Sequence, residues 1–155
     1  MMYAILLTIH SWFRWLVLIS LIYTLLRSYH GWIRARTFSL FDEVTRNATV
    51  MIVQTQFLIG LALYVYSPMV RYFLQNFATA VHERDARFFG MEHITMMFIA
   101  VGVISAGSLK VNKNKTDRGK FRLIALWFSV GLLIIFLSIP WEFSPFTRRP
   151  YFRTF

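Results

Sequence analysis

The chain has 155 residues, 57% hydrophobic and only 15% charged, with a formal net charge of +10 and no cysteine. A soluble domain of this size carries about 25% charged residues, so the composition argues against a water-soluble globular fold. The missing cysteine excludes disulfides, thiolate metal sites, cysteine nucleophiles and covalent c-type haem attachment. The basic residues lie between apolar runs, which suits membrane topology and contact with a lipid bilayer; no nucleic-acid partner is expected.

The apolar residues gather into four runs of spanning length. The predicted fold is all-α, an integral membrane four-helix up-down bundle. It forms a single membrane domain over 1–155, with spans at about 4–26, 48–66, 88–109 and 123–139.

No basic segment or small-residue cleavage site accompanies the first run, so a cleaved signal peptide is not expected. Tyr3, Trp12 and Trp15 sit toward its first end, where an aromatic belt lies. His10, Arg14, Val17 and Leu21 share one helical face. The connection that follows carries Arg27, Arg34, Arg36 and Arg46. Within it, Ser39 followed by Asp42 and Glu43 reads as the cap of a short interfacial turn.

The second run holds Gln54, Gln56 and Gly60 and stops at Ser67-Pro68. After it, Val70, Tyr72, Phe73, Leu74 and Phe77 predict an amphipathic stretch on the membrane surface. The third run opens with Phe88-Phe89-Gly90-Met91-Glu92-His93. Ionisable groups at that depth are costly in lipid, which makes Glu92 and His93 functional candidates. The later half of this run, Ala100 to Gly107, is rich in small residues and permits close helix packing. A basic loop follows, with Lys110, Lys113, Lys115, Arg118, Lys120 and Arg122. The fourth run ends at Pro140, with Trp141 at its interface. In the aromatic, basic tail beyond it, Pro145 and Pro150 oppose a regular helix.

The first and third loops are more basic than the second loop and the tail together. The positive-inside rule therefore places both termini outside, periplasmic if the membrane is a bacterial inner membrane.

With four antiparallel spans, the first and third run in the same direction and lie diagonally across the bundle. His10 falls about six residues into its span and His93 about five, so at ~1.5 Å per residue their depths agree. Two neutral imidazoles facing across a bundle are what axial ligation of a b-type haem requires. Counted back from the ends of their spans, Gly60 and Gly131 reach a similar depth. There they leave room for a flat macrocycle, or serve as ordinary packing positions.

Arg14, one turn deeper than His10, is expected to pair with Glu92 or a haem propionate. Glu92 can alternatively hydrogen-bond a ligand histidine or relay protons. Residues 92 and 93 diverge by about 100° around a helix, so they cannot both point at one central ligand. The same histidines also suit a quinone or proton site, or polar contacts that merely hold the bundle. His30 and His82 belong to loops, and His82-Glu83 lacks the second histidine of a zincin motif.

Three stretches carry a resemblance that spans nearly the whole chain: His10-Ser11-Trp12-Phe13-Arg14-Trp15, Gln56 to Tyr64, and Arg87-Phe88-Phe89-Gly90-Met91-Glu92-His93. In these the chain resembles small four-helix bacterial membrane proteins labelled cytochrome b-like. The resemblance implies haem b held by His10 and His93; electron transfer in the bacterial inner membrane, as a subunit of a respiratory complex, is the first hypothesis built on it. The four-histidine pattern of two-haem cytochrome b subunits is missing. One haem near the outer face, exchanging electrons with quinol or a periplasmic carrier, is the implied arrangement. Two alternatives stay open: a non-catalytic subunit of a larger membrane complex, with Arg14, Glu92 and His93 structural, and a small quinone-binding or transport protein.

Overall fold

The computed structural model describes residues 2–142 and Thr147. The irregular tail expected around Pro145 and Pro150 lies outside the described residues. Among the described residues every regular element is helical. In lipid a chain must satisfy its backbone polar groups internally, which a helix does within one segment.

Helix α1 spans Met2–Ile33 and is apolar around most of its circumference. It ends where Arg34 and Arg36 bond back to the carbonyls of His30 and Gly31. Helix α2 spans Leu40–Tyr66. Its start is a full capping box: Ser39 Oγ accepts from the Asp42 amide, and Asp42 Oδ2 accepts from the Ser39 amide. The expected short turn at Ser39–Val44 is therefore the first part of α2. No Gly or Pro falls between Leu40 and residue 48, so the helix runs on into the apolar run. Arg27 holds Asp42 at this end through a 2.6 Å ion pair.

The surface stretch after α2 folds as three short helices, α3 (Pro68–Gln75), α4 (Phe77–Ala80) and α5 (Arg84–Arg87). Ser67 caps α3, and Pro68 fits its first turn, where the missing amide costs nothing. Val70 and Phe73 turn inward while Tyr72 and Leu74 face out, giving the expected amphipathic pattern. Residues Phe88–Glu92 form a π-helical turn that leads into α6, His93–Lys113. Helix α7, Asp117–Ser138, is capped by Thr116 Oγ1, which accepts from the Gly119 amide. From the tail, Thr147 donates to Asp85 at 2.7 Å.

The four long helices form a bundle in which α1 and α6 each pack against α2 and α7. Helices α1 and α6 are thus diagonal. Leu21, Ile104, Ile124 and Phe128 fill the centre. The α6–α7 seam is close because Gly107 lies against Trp127 and Gly131 against Ile104. A hydrogen bond between Thr24 and Thr49, 2.7 Å long, joins α1 to α2. The outward faces carry Ile19, Leu26, Leu58, Phe98 and Leu133, all exposed. Met2–Ile33, Leu40–Tyr66, Arg84–Lys113 and Asp117–Ser138 are each long and apolar enough to cross a membrane. Large apolar side chains pointing outward along all four are stable against lipid and not against water. The fold is a multi-pass, all-α membrane bundle.

Candidate functional site

At the end where α1 and α6 begin and α2 and α7 finish, the bundle opens into a cavity of about 650 Å³. Its wall is mainly apolar, with His10, Arg14, Gln56, Tyr64 and His93 supplying polar groups. That size and lining match small-molecule and cofactor sites, which run about 300–1,000 Å³.

His10 projects from α1 toward α2 at Gly60. A Cβ built on Gly60 would lie 3.0 Å from His10 Cε1, so the glycine leaves the imidazole its space. One turn earlier on α2, Gln56 Nε2 donates to the His10 carbonyl at 2.9 Å. Two polar atoms of this pair, His10 Nδ1 and Gln56 Oε1, are buried without a hydrogen bond. Buried polar atoms left unpaired are costly, and two in one cavity point to a ligand.

His93 stands at the junction between the π-helical turn and α6. Its Nδ1 lies 2.9 Å from the carbonyl oxygen of Ser138, the last residue of α7. A carbonyl only accepts, so Nδ1 carries the proton and Nε2 keeps its lone pair. Phe88 and Phe89 flank the ring, with centroids 5.6 and 6.5 Å away. Tyr64, from α2, donates to the Gly90 carbonyl at 2.8 Å and braces the π-helical turn. Such turns carry an extra residue per winding and often mark functional positions.

The two imidazoles meet across the bundle with ring centroids 6.4 Å apart and planes at 79°. His10, His93, Gly60 and Arg14 line the same cavity. The other two predicted site residues do not join them. Glu92 was expected to meet Arg14 but takes Arg87, with Nε to Oε1 at 2.6 Å. Arg87 precedes Glu92 by five residues, one winding of a π-helical turn, so this pair forms locally without a reach across the bundle. Arg14 instead sets its guanidinium over the indoles of Trp15 and Trp141, at 5.4 and 5.7 Å from their centroids. Gly131 sits in the α6–α7 seam against Ile104 and does not line the cavity. The chain reaches the cavity further on, with Ile135 one turn along α7 and Ile139 just past its end.

Three contributors escaped the sequence reading. Gln56 stands out in the sequence only as a polar residue in the second run, at the head of the Gln56 to Tyr64 stretch. Tyr64 gave no signal of its own. The Ser138 carbonyl is a backbone group, signalled only by Pro140, which leaves the last carbonyls of α7 without helical partners.

Among the described residues, no group of three or more His, Asp or Glu side chains could hold a metal ion. Comparison with known proteins finds no matching family model, curated protein or solved structure. The fold and site define the class: a multi-pass helical membrane protein with a cavity at one end of its bundle that presents two imidazoles.

Proposed function

We propose that the chain is a b-type cytochrome-like protein that holds one haem between α1 and α6 and takes part in electron transfer. The observation that carries this reading is the His10–His93 pair, 6.4 Å between ring centroids across an apolar cavity. The two rings are close enough for one bound group to reach both, and His93 Nε2 keeps its lone pair. Two imidazoles are too few for a bare ion but suffice for a metal that brings its own equatorial ligands.

Haem, when bound, supplies reversible one-electron exchange. The chain's residues supply the setting. The Ser138 carbonyl fixes the His93 tautomer and ring orientation, as outer-shell partners of ligating histidines do. Gln56 Nε2 holds the backbone of His10 through its carbonyl, which steadies the turn of α1 that carries the imidazole. Gly60 keeps the His10 side open, and Arg14 offers a cation suited to a propionate. In this reading the site end faces the periplasm of a bacterial inner membrane, within reach of quinol or a periplasmic carrier in a respiratory complex; the more basic connections at the other end support that orientation. The test is an absorption spectrum of the purified, reduced protein, in which a sharp low-spin α-band is expected.

A second reading, a quinone site, is favoured by one observation. His10 Nδ1 and Gln56 Oε1 are buried and unbonded in the same cavity, and a quinol hydroxyl could satisfy them. A colourless protein that binds quinone would select it.

A further inference from the structure

The opposite end of the bundle contains a second cavity, smaller and polar, of about 250 Å³. Phe38, Glu43, Arg46, Val111, Asn112 and Lys120 line it, from the α1–α2 connection and from α2, α6 and α7. Arg46 reads from sequence as a loop residue, but it lies in α2 with its side chain only 3% exposed. Its Nε and Nη2 both donate to Asn47 Oδ1, a neutral acceptor, at 3.1 and 2.8 Å. The carboxylate that approaches it, Glu43, stays 4.0 Å away and is half exposed to solvent. Arg27 differs, because Asp42 accepts from its Nε and Nη2 at 3.0 and 2.6 Å. A guanidinium this buried needs a close anion, and Asn47 and Glu43 supply only part of one.

Lys120 brings a second cation to the same cavity, with its ammonium 5.2 Å from the centre of the Phe38 ring. Two cations against one distant carboxylate leave the cavity positive. Its volume falls below that of a site for a drug-sized ligand and suits a compact polar group. The surroundings give the depth. Lys110 lies over Trp127 and Arg122 over Trp32, an aromatic and basic girdle of the kind found at lipid headgroup level.

We infer that this cavity binds a phosphate group, held by Arg46 and Lys120, with the headgroup phosphate of an anionic phospholipid as its source in a membrane. Guanidinium matches phosphate oxygens in a bidentate fork, and Lys120 adds a point charge. Free inorganic phosphate shares this chemistry. The basic residues around the α6–α7 connection, Lys110, Lys113, Lys115, Arg118 and Arg122, raise the local concentration of either anion.

The test is thermal unfolding of the full chain in neutral detergent at constant ionic strength. Phosphatidylglycerol, phosphatidylcholine and inorganic phosphate are titrated separately. Phosphatidylglycerol is expected to raise the midpoint saturably and phosphatidylcholine to leave it unchanged. A saturable rise with inorganic phosphate as well assigns the site to phosphate from either source; a rise with phosphatidylglycerol alone assigns it to the lipid. Lys120→Gln should raise the half-saturating concentration about tenfold, the loss of one charge-assisted contact. Arg118→Gln, exposed in the same first turn of α7 and outside the cavity, should not change it. Arg46→Gln should abolish the response if it folds; if it does not, the Lys120 and Arg118 variants decide. Equal effects of Lys120→Gln and Arg118→Gln, or no saturable response to any titrant, would overturn the inference.

Discussion

The Nδ1 of His93 lies 2.9 Å from the carbonyl oxygen of Ser138, joining the start of α6 to the last residue of α7. That carbonyl is available because α7 stops there and Pro140 opposes its continuation. His93 should therefore hold its proton on Nδ1. Nitrogen-15 chemical shifts of labelled histidine in the ligand-free protein should report that tautomer. Pro140→Ala, which lets an amide four residues on compete for the Ser138 carbonyl, should shift the population toward Nε2–H. An Nε2–H tautomer in the unaltered protein would contradict the contact.

The two glycines named from sequence should separate by phenotype. A Cβ on Gly131 collides with Ile104 in the α6–α7 seam. Gly131→Ala should thus cost about 1–3 kcal/mol in unfolding assays, an overpacking penalty. Gly60 faces the cavity, where a side chain meets His10 at 3.0 Å and otherwise finds room. Gly60→Leu should cost less stability than Gly131→Ala while blocking the uptake of added haemin, read by absorbance.

The ion pairs should rank by burial. Arg27→Leu takes the close cation from the Asp42 carboxylate, which is 3% exposed and keeps Ser39 as a donor and Arg36 at 4.0 Å. Breaking a fully buried pair costs about 3–5 kcal/mol, and the partial exposure of Arg27 reduces this to about 2–3. Arg87 and Glu92 are each about a third exposed, so Arg87→Leu should cost roughly 0–1 kcal/mol. Because Glu92 pairs with Arg87, the losses from Arg14→Leu and Glu92→Leu should add. A double variant markedly milder than that sum would restore the direct pairing expected from sequence.

The spans were legible because lipid demands long apolar runs and helical backbone, and the 1.5 Å rise per residue carried His10 and His93 to one depth. The helix ends were harder to read. Arg27, Asp42, Glu43 and Arg46 look like loop residues. Arg27 and Asp42 instead neutralise each other between α1 and α2, so both helices run past the predicted span limits. The partner of Glu92 was hidden because a π-helical turn leaves no periodic signature, and it is this turn that places Arg87 beside it. Gly131 was misplaced by counting depth alone. Depth says nothing of the face a residue presents, and its face belongs to the seam with α6. The Ser138 carbonyl could not be read from side chains at all.

The central claim, one haem held by His10 and His93, is tested most directly by reduced-minus-oxidised spectra of three forms: the unaltered protein, His10→Ala and His93→Ala. All three are purified from haem-sufficient cells. The unaltered protein should show a sharp low-spin α-band that fades on acidification, since protons compete with the metal for imidazole nitrogen. Each single variant should be five-coordinate or empty. A colourless unaltered protein that takes up no added haemin, or unchanged low-spin spectra in both variants, would contradict it.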